Sequence, residues 1–241
     1  MSLVREFEKT GNLLFRYRGQ IPVILFPASL PFLYQSEDCA LEIKILALLV
    51  ALLGFMIRAY AIGTTPRGTS GRNTREQVAE TINTSGIYSV VRHPLYLGNY
   101  GMWAGIVIYT GSWSFFLIFS LAYWIYYERI MFAEERFLER KFGQAFLDWA
   151  AVVPSFLPGP SNWKPSAVPL SLKTILRREY SGILATALGF AFVNAARHYF
   201  ILGSPVPGQV TLVLLGAAVI WALVFRTLKR NTRLLNEEGR S

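Results

Sequence analysis

Six apolar stretches divide this chain: Ile21 to Tyr34, Leu41 to Ile62, Leu95 to Thr110, Trp113 to Phe132, Ile183 to Leu202 and Val210 to Leu228. Four of them approach the roughly 20 residues that carry a helix across a bilayer. The first and third are shorter, and Pro27 and Pro31 predict that the first is kinked or incompletely inserted. Composition agrees. The 241 residues are 53% hydrophobic and 16% charged, against about 45–50% and roughly 25% in soluble domains. The expectation is an all-α, polytopic membrane helix bundle of about six spans, one integral domain over residues 1–241.

The connections between the stretches alternate in charge. Nearly all of the 24 basic residues fall in the N-terminal arm, in Gly63 to Pro94, in Glu128 to Glu179 and in the C-terminal tail. The intervening connections are acidic ("QSEDCA") or uncharged ("GSW" and "GSPVPGQ"). Under the positive-inside rule this places both termini in the cytosol. The net charge of +9 then describes a cytosolic membrane face rather than a nucleic-acid surface. No small-residue cleavage pattern follows the first apolar segment, which is expected to be retained. The single cysteine, Cys39, permits no internal disulfide. The Pro-rich run from Val153 to Pro169 reads as an extended connector, with Trp163 at the interface.

Four basic segments thus meet on one side of the membrane, and the most informative reads "GIYSVVRHPLYLGNYG", residues 86 to 101. Pro94 suits the first turn of a helix, with His93 at its cap. A helix start offers free N–H groups and a partial positive charge, which attract carboxylate or phosphate, and Arg92 and His93 strengthen that field. Gly98, Gly101 and Gly105 share one side of the helix, where another helix or a ligand can approach closely. Downstream, the fourth span is expected to continue as a helix into the cytosol, carrying Glu134 and Glu135. Adjacent residues diverge by about 100° around a helix, so only one of the two easily faces a given pocket.

Together these stretches resemble the isoprenylcysteine carboxyl methyltransferases and related integral-membrane lipid methyltransferases. The residues that carry the likeness are Gly86 and Tyr88, then Arg92, His93, Pro94, Tyr96 and Gly98. Glu134 and Glu135, Phe142 and Gly143, and a closing Val153, Pro154 and Pro158 follow in order. The likeness covers residues 86–158, the motif core, between N-terminal spans with a basic loop (1–85) and a connector with two C-terminal spans (159–241). Phe146 and Trp149 depart from the family pattern by replacing two tyrosines, and Ala150, Ala151 and Val152 stand where the prenylcysteine enzymes are usually basic.

The resemblance implies S-adenosylmethionine as cofactor, held between the His-Pro helix start and the Glu-Glu helix. His93, Tyr96, Leu97 and Gly98 would contact it, the backbone serving at Tyr96 and Leu97, and Glu134 or Glu135 would take its amino group or ribose. Arg92 would align an anionic acceptor, making Arg92 and His93 the catalytic pair. An activated methyl needs position and exclusion of water more than acid-base power. No metal site is expected, because His93 and His198 are assigned to opposite membrane faces.

The acceptor is read from "GTTPRGTSGRNTR", residues 63 to 75, where Arg67, Arg72 and Arg75 lie among hydroxyls and glycines suited to phosphate. Arg177 and Arg178, beside Glu179, either complete such a site or anchor the chain. Arg197 and His198 are expected to snorkel outward. The implied function is O-methylation of a phosphate or carboxylate on a lipid or lipid-linked acceptor, with no nucleic acid and no evident obligate protein partner. A bacterial inner membrane is favoured over the endoplasmic reticulum. Amine N-methylation of a phospholipid, a sterol-type NADPH reductase and a non-catalytic lipid binder or transporter stand as alternatives.

Overall fold

Every apolar stretch is helical in the computed structural model, which describes residues 2–34, 38–69 and 79–240. Eight α-helices are formed among these residues: α1 (Leu3–Tyr17), α2 (Leu25–Tyr34), α3 (Leu41–Gly63), α4 (Pro94–Ile108), α5 (Trp113–Phe142), α6 (Gln144–Val152), α7 (Leu172–Leu202) and α8 (Gln209–Asn231). Only an isolated bridge between Gly86 and Lys164 represents β-structure among them. The chain is an all-α membrane helix bundle. Three helices, α3, α5 and α8, are long and apolar enough to cross a membrane. The first apolar stretch is a 3-10 turn, Ile21–Ile24, followed by α2 with Pro31 inside it. At 15 residues, α4 reaches only about 22 Å.

Local chemistry sets the helix ends. Ser112 caps α5 by accepting from the Phe115 N–H at 3.2 Å, and Ser171 caps α7 by accepting from the Thr174 N–H at 3.0 Å. Pro94 opens α4 with His93 at the cap position, as its missing N–H allows. The extension of the fourth span is broken at Gly143, whose φ of 54° ends α5 and turns the chain into α6.

Helices α3 and α4 lie against each other along a seam of glycines. A Cβ on Gly101 would come within 2.8 Å of the Gly54 Cα, and one on Gly105 within 2.5 Å of the Ala47 carbonyl oxygen. Only absent side chains allow backbones this close. Helix α1, read from the sequence merely as a basic arm, is amphipathic and lies on α5. There the Tyr126 hydroxyl donates to the Leu14 carbonyl at 3.1 Å, and Phe7 meets Phe132 edge-on.

The connector after α6 is extended and runs back along residues 86–93. Arg92 and His93 N–H groups donate to the Pro154 and Ser155 carbonyls at 2.9 and 3.1 Å, and Gly159 N–H donates to Val90 at 2.8 Å. Trp163 is half exposed beside Tyr60. The C-terminal tail folds onto the same end, where Ser171 donates to Glu237 and Arg240 to the Gly63 carbonyl at 2.8 Å.

Arg197 corrects a sequence expectation. It does not snorkel outward: only 1% of the residue is exposed, and its Nη2 donates to the Tyr109 carbonyl at 2.8 Å. Because α4 is short, its C-terminal carbonyls lie inside the bundle, where a cation answers the helix dipole. His198 is half-buried.

Candidate active site

The ends of α3, α5 and α6 and the starts of α4 and α7 surround a cavity of about 260 Å³, just below the usual range of roughly 300–1,000 Å³ for small-molecule sites. Phe15 and Arg18 close it from α1, and Thr69 and Ala79 form part of its rim. Its charged groups gather at two poles.

The first pole is built on the start of α4. The Nε of Arg92 donates to Glu135 Oε1 at 2.9 Å and its Nη2 to Oε2 at 3.1 Å, a two-point grip. Its Nη1 donates to the Ala150 and Val153 carbonyls, both at 2.7 Å, tying the end of α6 to the α4 cap. His93, 7% exposed, donates through Nε2 to Glu135 Oε1 at 2.9 Å. Glu134 accepts from the Tyr96 hydroxyl at 2.9 Å, and its Oε2 lies 3.6 Å from His93 Nδ1. Both glutamates line the cavity, correcting the expectation that only one easily could. Their divergence around α5 is bridged by the imidazole, which fills the space between the two carboxylates.

Aromatic side chains complete this pole. Trp149 and Tyr88 line the wall, and the indole N–H donates to the Tyr88 carbonyl at 3.1 Å. Burial pushes the Tyr88 phenol up to about 12, so it serves as a neutral group. Phe146, at the other tyrosine position of the pattern, is buried in the core.

The second pole lies farther along α4. Arg58 of α3 donates through Nε and Nη2 to the two oxygens of Glu179 at 3.0 and 2.6 Å, and through Nη1 to Asn99 Oδ1 at 2.5 Å. Arg178 also lines this wall. Neither Arg58 nor Asn99 was singled out from the sequence, although an arginine inside an apolar stretch is itself a signal of function.

Among the other sequence candidates, Leu97 and Gly98 are not on the cavity wall. The N–H groups of Tyr96 and Leu97 both donate to the His93 carbonyl, at 3.1 Å, so they close the first turn instead of facing a ligand. Gly98 lies against Arg58 and Gly54 of α3. Arg67 and Arg177 are off the wall, the Arg67 N–H donating to the Gly239 carbonyl at 3.0 Å. Arg72 and Arg75 lie outside the described residues. Among the described residues, no group of three or more His, Cys, Asp or Glu side chains is arranged to hold a metal ion.

Comparison with known proteins converges on the same region. The family described as phospholipid methyltransferase matches residues 43–145, which include all but the first two residues of α3, the whole of α4 and the glutamate pair of α5. The chain is 31% identical over 113 residues to the protein-S-isoprenylcysteine O-methyltransferase of Schizosaccharomyces pombe, covering 44% of this chain and 48% of that one. It is also 31% identical to protein-S-isoprenylcysteine O-methyltransferase B of Arabidopsis thaliana, covering 46% of this chain and 57% of the other. The chain thus spans about half the length of these two enzymes. The cobalt-zinc-cadmium resistance protein CzcN of Cupriavidus metallidurans is 30% identical over 161 residues, 63% of this chain and 71% of that protein. No solved structure matches. With Tyr88, Arg92, His93, Pro94, Tyr96, Glu134 and Glu135 of its motif lining one cavity, the chain belongs to the membrane methyltransferase family that includes the phospholipid and isoprenylcysteine enzymes.

Proposed function

We propose that the chain transfers a methyl group from S-adenosylmethionine to an oxyanion, phosphate or carboxylate, of a lipid or lipid-linked acceptor at the cytosolic face. The observation that carries this reading is the first pole, where Arg92, His93, Tyr96, Glu134 and Glu135 stand together on the cavity wall. The donor is a cation with an aromatic base. Two carboxylates beside Phe15, Phe137, Tyr96 and Trp149 suit both parts of it.

Within that pole the residues divide the work. Both oxygens of Glu135 are engaged by Arg92 and His93, so Glu135 builds the site. No hydrogen bond engages Oε1 of Glu134 among the described residues, which leaves Glu134 to receive the donor's cationic amino group. His93 holds its ring between them and orients the donor. Arg92 fastens Glu135 and α6, which makes it a positioning residue. S-adenosylmethionine supplies a methyl already activated as a sulfonium, so the protein needs no base toward an acceptor that is already ionised.

Arg67, Arg72 and Arg75, in the basic segment that follows α3 in sequence, would meet an acidic headgroup, together with Arg177 and Arg178. Arginines there would repel an ammonium acceptor, which disfavours amine methylation. Calorimetry with S-adenosylmethionine and its demethylated product tests the donor, with His93→Ala expected to bind weakly. Mass spectrometry of lipids from cells with and without the protein tests the acceptor. A purified protein that binds reduced nicotinamide tightly and ignores S-adenosylmethionine would overturn this reading in favour of a reductase.

A further inference from the structure

Arg58 sits inside α3, a helix long and apolar enough to cross a membrane, five residues before its end at Gly63. A cation there is costly unless something holds it. Its stem lies against Gly98, where any Cβ would collide with Arg58 Cγ, so the missing side chain opens the path to Asn99. The guanidinium carries five N–H groups. Three hydrogen bonds to Glu179 and Asn99 leave two N–H groups unassigned among the described residues, on a side chain that lines the cavity. Glu179 is 2% exposed at its side chain, and its two-point grip fixes the plane of the guanidinium.

A buried ion pair that merely fastened α3 to α7 would be a poor fastening, because apolar side chains of similar size do as well or better. This pair lines the same cavity as Arg178 and the two carboxylates Glu134 and Glu135. Asn99 is six residues beyond His93 on α4, about 9 Å along the helix axis. One pole therefore suits a cation and the other an anion, with the space between them short enough for the two ligands to meet.

We propose that Arg58, oriented by Glu179 and Asn99, is an oxyanion-receiving subsite that takes the phosphate or carboxylate of the methyl acceptor. The inference rests on methyl transfer as the protein's reaction, and its test separates the two. Full-length protein in detergent micelles is titrated with dodecyl phosphate, with dodecyltrimethylammonium as control, and bound ligand is read from tryptophan fluorescence. Wild-type protein should bind the phosphate saturably and show no response to the ammonium. Arg58→Gln should weaken phosphate binding at least about tenfold while holding S-adenosylmethionine within about twofold of the wild-type affinity.

A charge exchange decides between binding and fastening. Arg58→Glu with Glu179→Arg should recover the thermal midpoint that either single change lowers, yet fail to recover phosphate binding. If the exchange recovers both, the pair is a fastening and the proposal falls. It also falls if Arg58→Gln weakens S-adenosylmethionine and spares the phosphate, since the arginine would then serve the donor's own carboxylate. Should Arg58→Gln fail to fold, the exchanged pair and Arg58→Lys, which cannot grip in two places, carry the same comparison. Wild-type protein that binds dodecyl phosphate through Arg58 but not S-adenosylmethionine would sink the methyl-transfer reading and leave the subsite standing.

Discussion

Changing Glu135 to Gln and Glu134 to Gln, one at a time, should have opposite consequences, although the two residues are neighbours. Glu135 accepts two hydrogen bonds from Arg92 and one from His93, and both donors are largely buried. Charge-assisted hydrogen bonds are worth about 1.5–3 kcal/mol each. The amide of Gln still accepts one of them, and Arg92 keeps its two carbonyl partners. With the Glu135 side chain 24% exposed, the lower part of the range applies. The expected loss is about 1.5–3 kcal/mol for one to two bonds. At about 2–4 °C per kcal/mol for a chain of this size, the thermal midpoint should fall by roughly 3–12 °C.

Glu134→Gln keeps an oxygen for the Tyr96 hydroxyl, and the 3.6 Å approach to His93 is too long for a hydrogen bond. Its stability cost should stay below about 1 kcal/mol. Its loss of negative charge should nevertheless weaken S-adenosylmethionine by about tenfold to a hundredfold, the value of one charge-assisted hydrogen bond. Thermal unfolding followed by tryptophan fluorescence and donor titration by calorimetry, on the same micellar preparations, read both effects. Equal destabilisation by the two changes would refute the division between a glutamate that builds and one that binds. So would native donor affinity in Glu134→Gln.

The glycine seam makes a paired test: Gly98→Ala should destabilise by about 1–3 kcal/mol through overpacking, because its Cβ would also lie 2.7 Å from the Gly54 carbonyl oxygen. Gly216→Ala on α8, with nothing within 4 Å, should be neutral or gain up to about 1 kcal/mol, both read as shifts in thermal midpoint. Trp149→Phe keeps a ring but removes the N–H that reaches Tyr88, and should cost about 0.5–1.5 kcal/mol of thermal stability. Accessibility tags at both termini should report as cytosolic while one between Gly203 and Gln209 reports as external, and an external C-terminus would refute the six-span count. Replacing Arg67, Arg72 and Arg75 together by Gln should lower transfer to an acidic lipid by about tenfold or more with donor affinity retained; unchanged turnover in micelles free of anionic lipid would reduce the loop to a bilayer contact.

What could be read from the sequence follows from which interactions are local. The start of α4 was legible because Pro94 acts on its own turn, and the glycine seam because spacings of three and four place residues on one helix side. The break at Gly143 escaped, since an amphipathic run continues through it and only its positive φ ends the helix. Arg92 shows the limit more sharply. Its place in the motif suggested a free guanidinium facing an acceptor, but Glu135 takes two of its N–H groups, and the end of α6 with the start of the returning connector brings the Ala150 and Val153 carbonyls to a third. No pattern in residues 86 to 101 encodes that approach.

Arg58 and Arg197 carry the same lesson in opposite directions. Each is an arginine within an apolar helix, and sequence offers the same two fates to both, outward snorkelling or inward pairing. Arg197 meets a carbonyl at the end of the short α4, a partner 88 residues away in the chain. Arg58 meets a carboxylate 121 residues away, on a helix whose opening "RREY" reads from sequence as much like an anchor as like a site. What separates them is the cavity: Arg58 and both of its partners line it, and Arg197 does not. A cation held away from that cavity, as Arg197 is by the Tyr109 carbonyl with its Nη1 3.6 Å from Asp38, secures the bundle. One satisfied on a cavity wall, with N–H groups to spare, is placed to act on whatever enters.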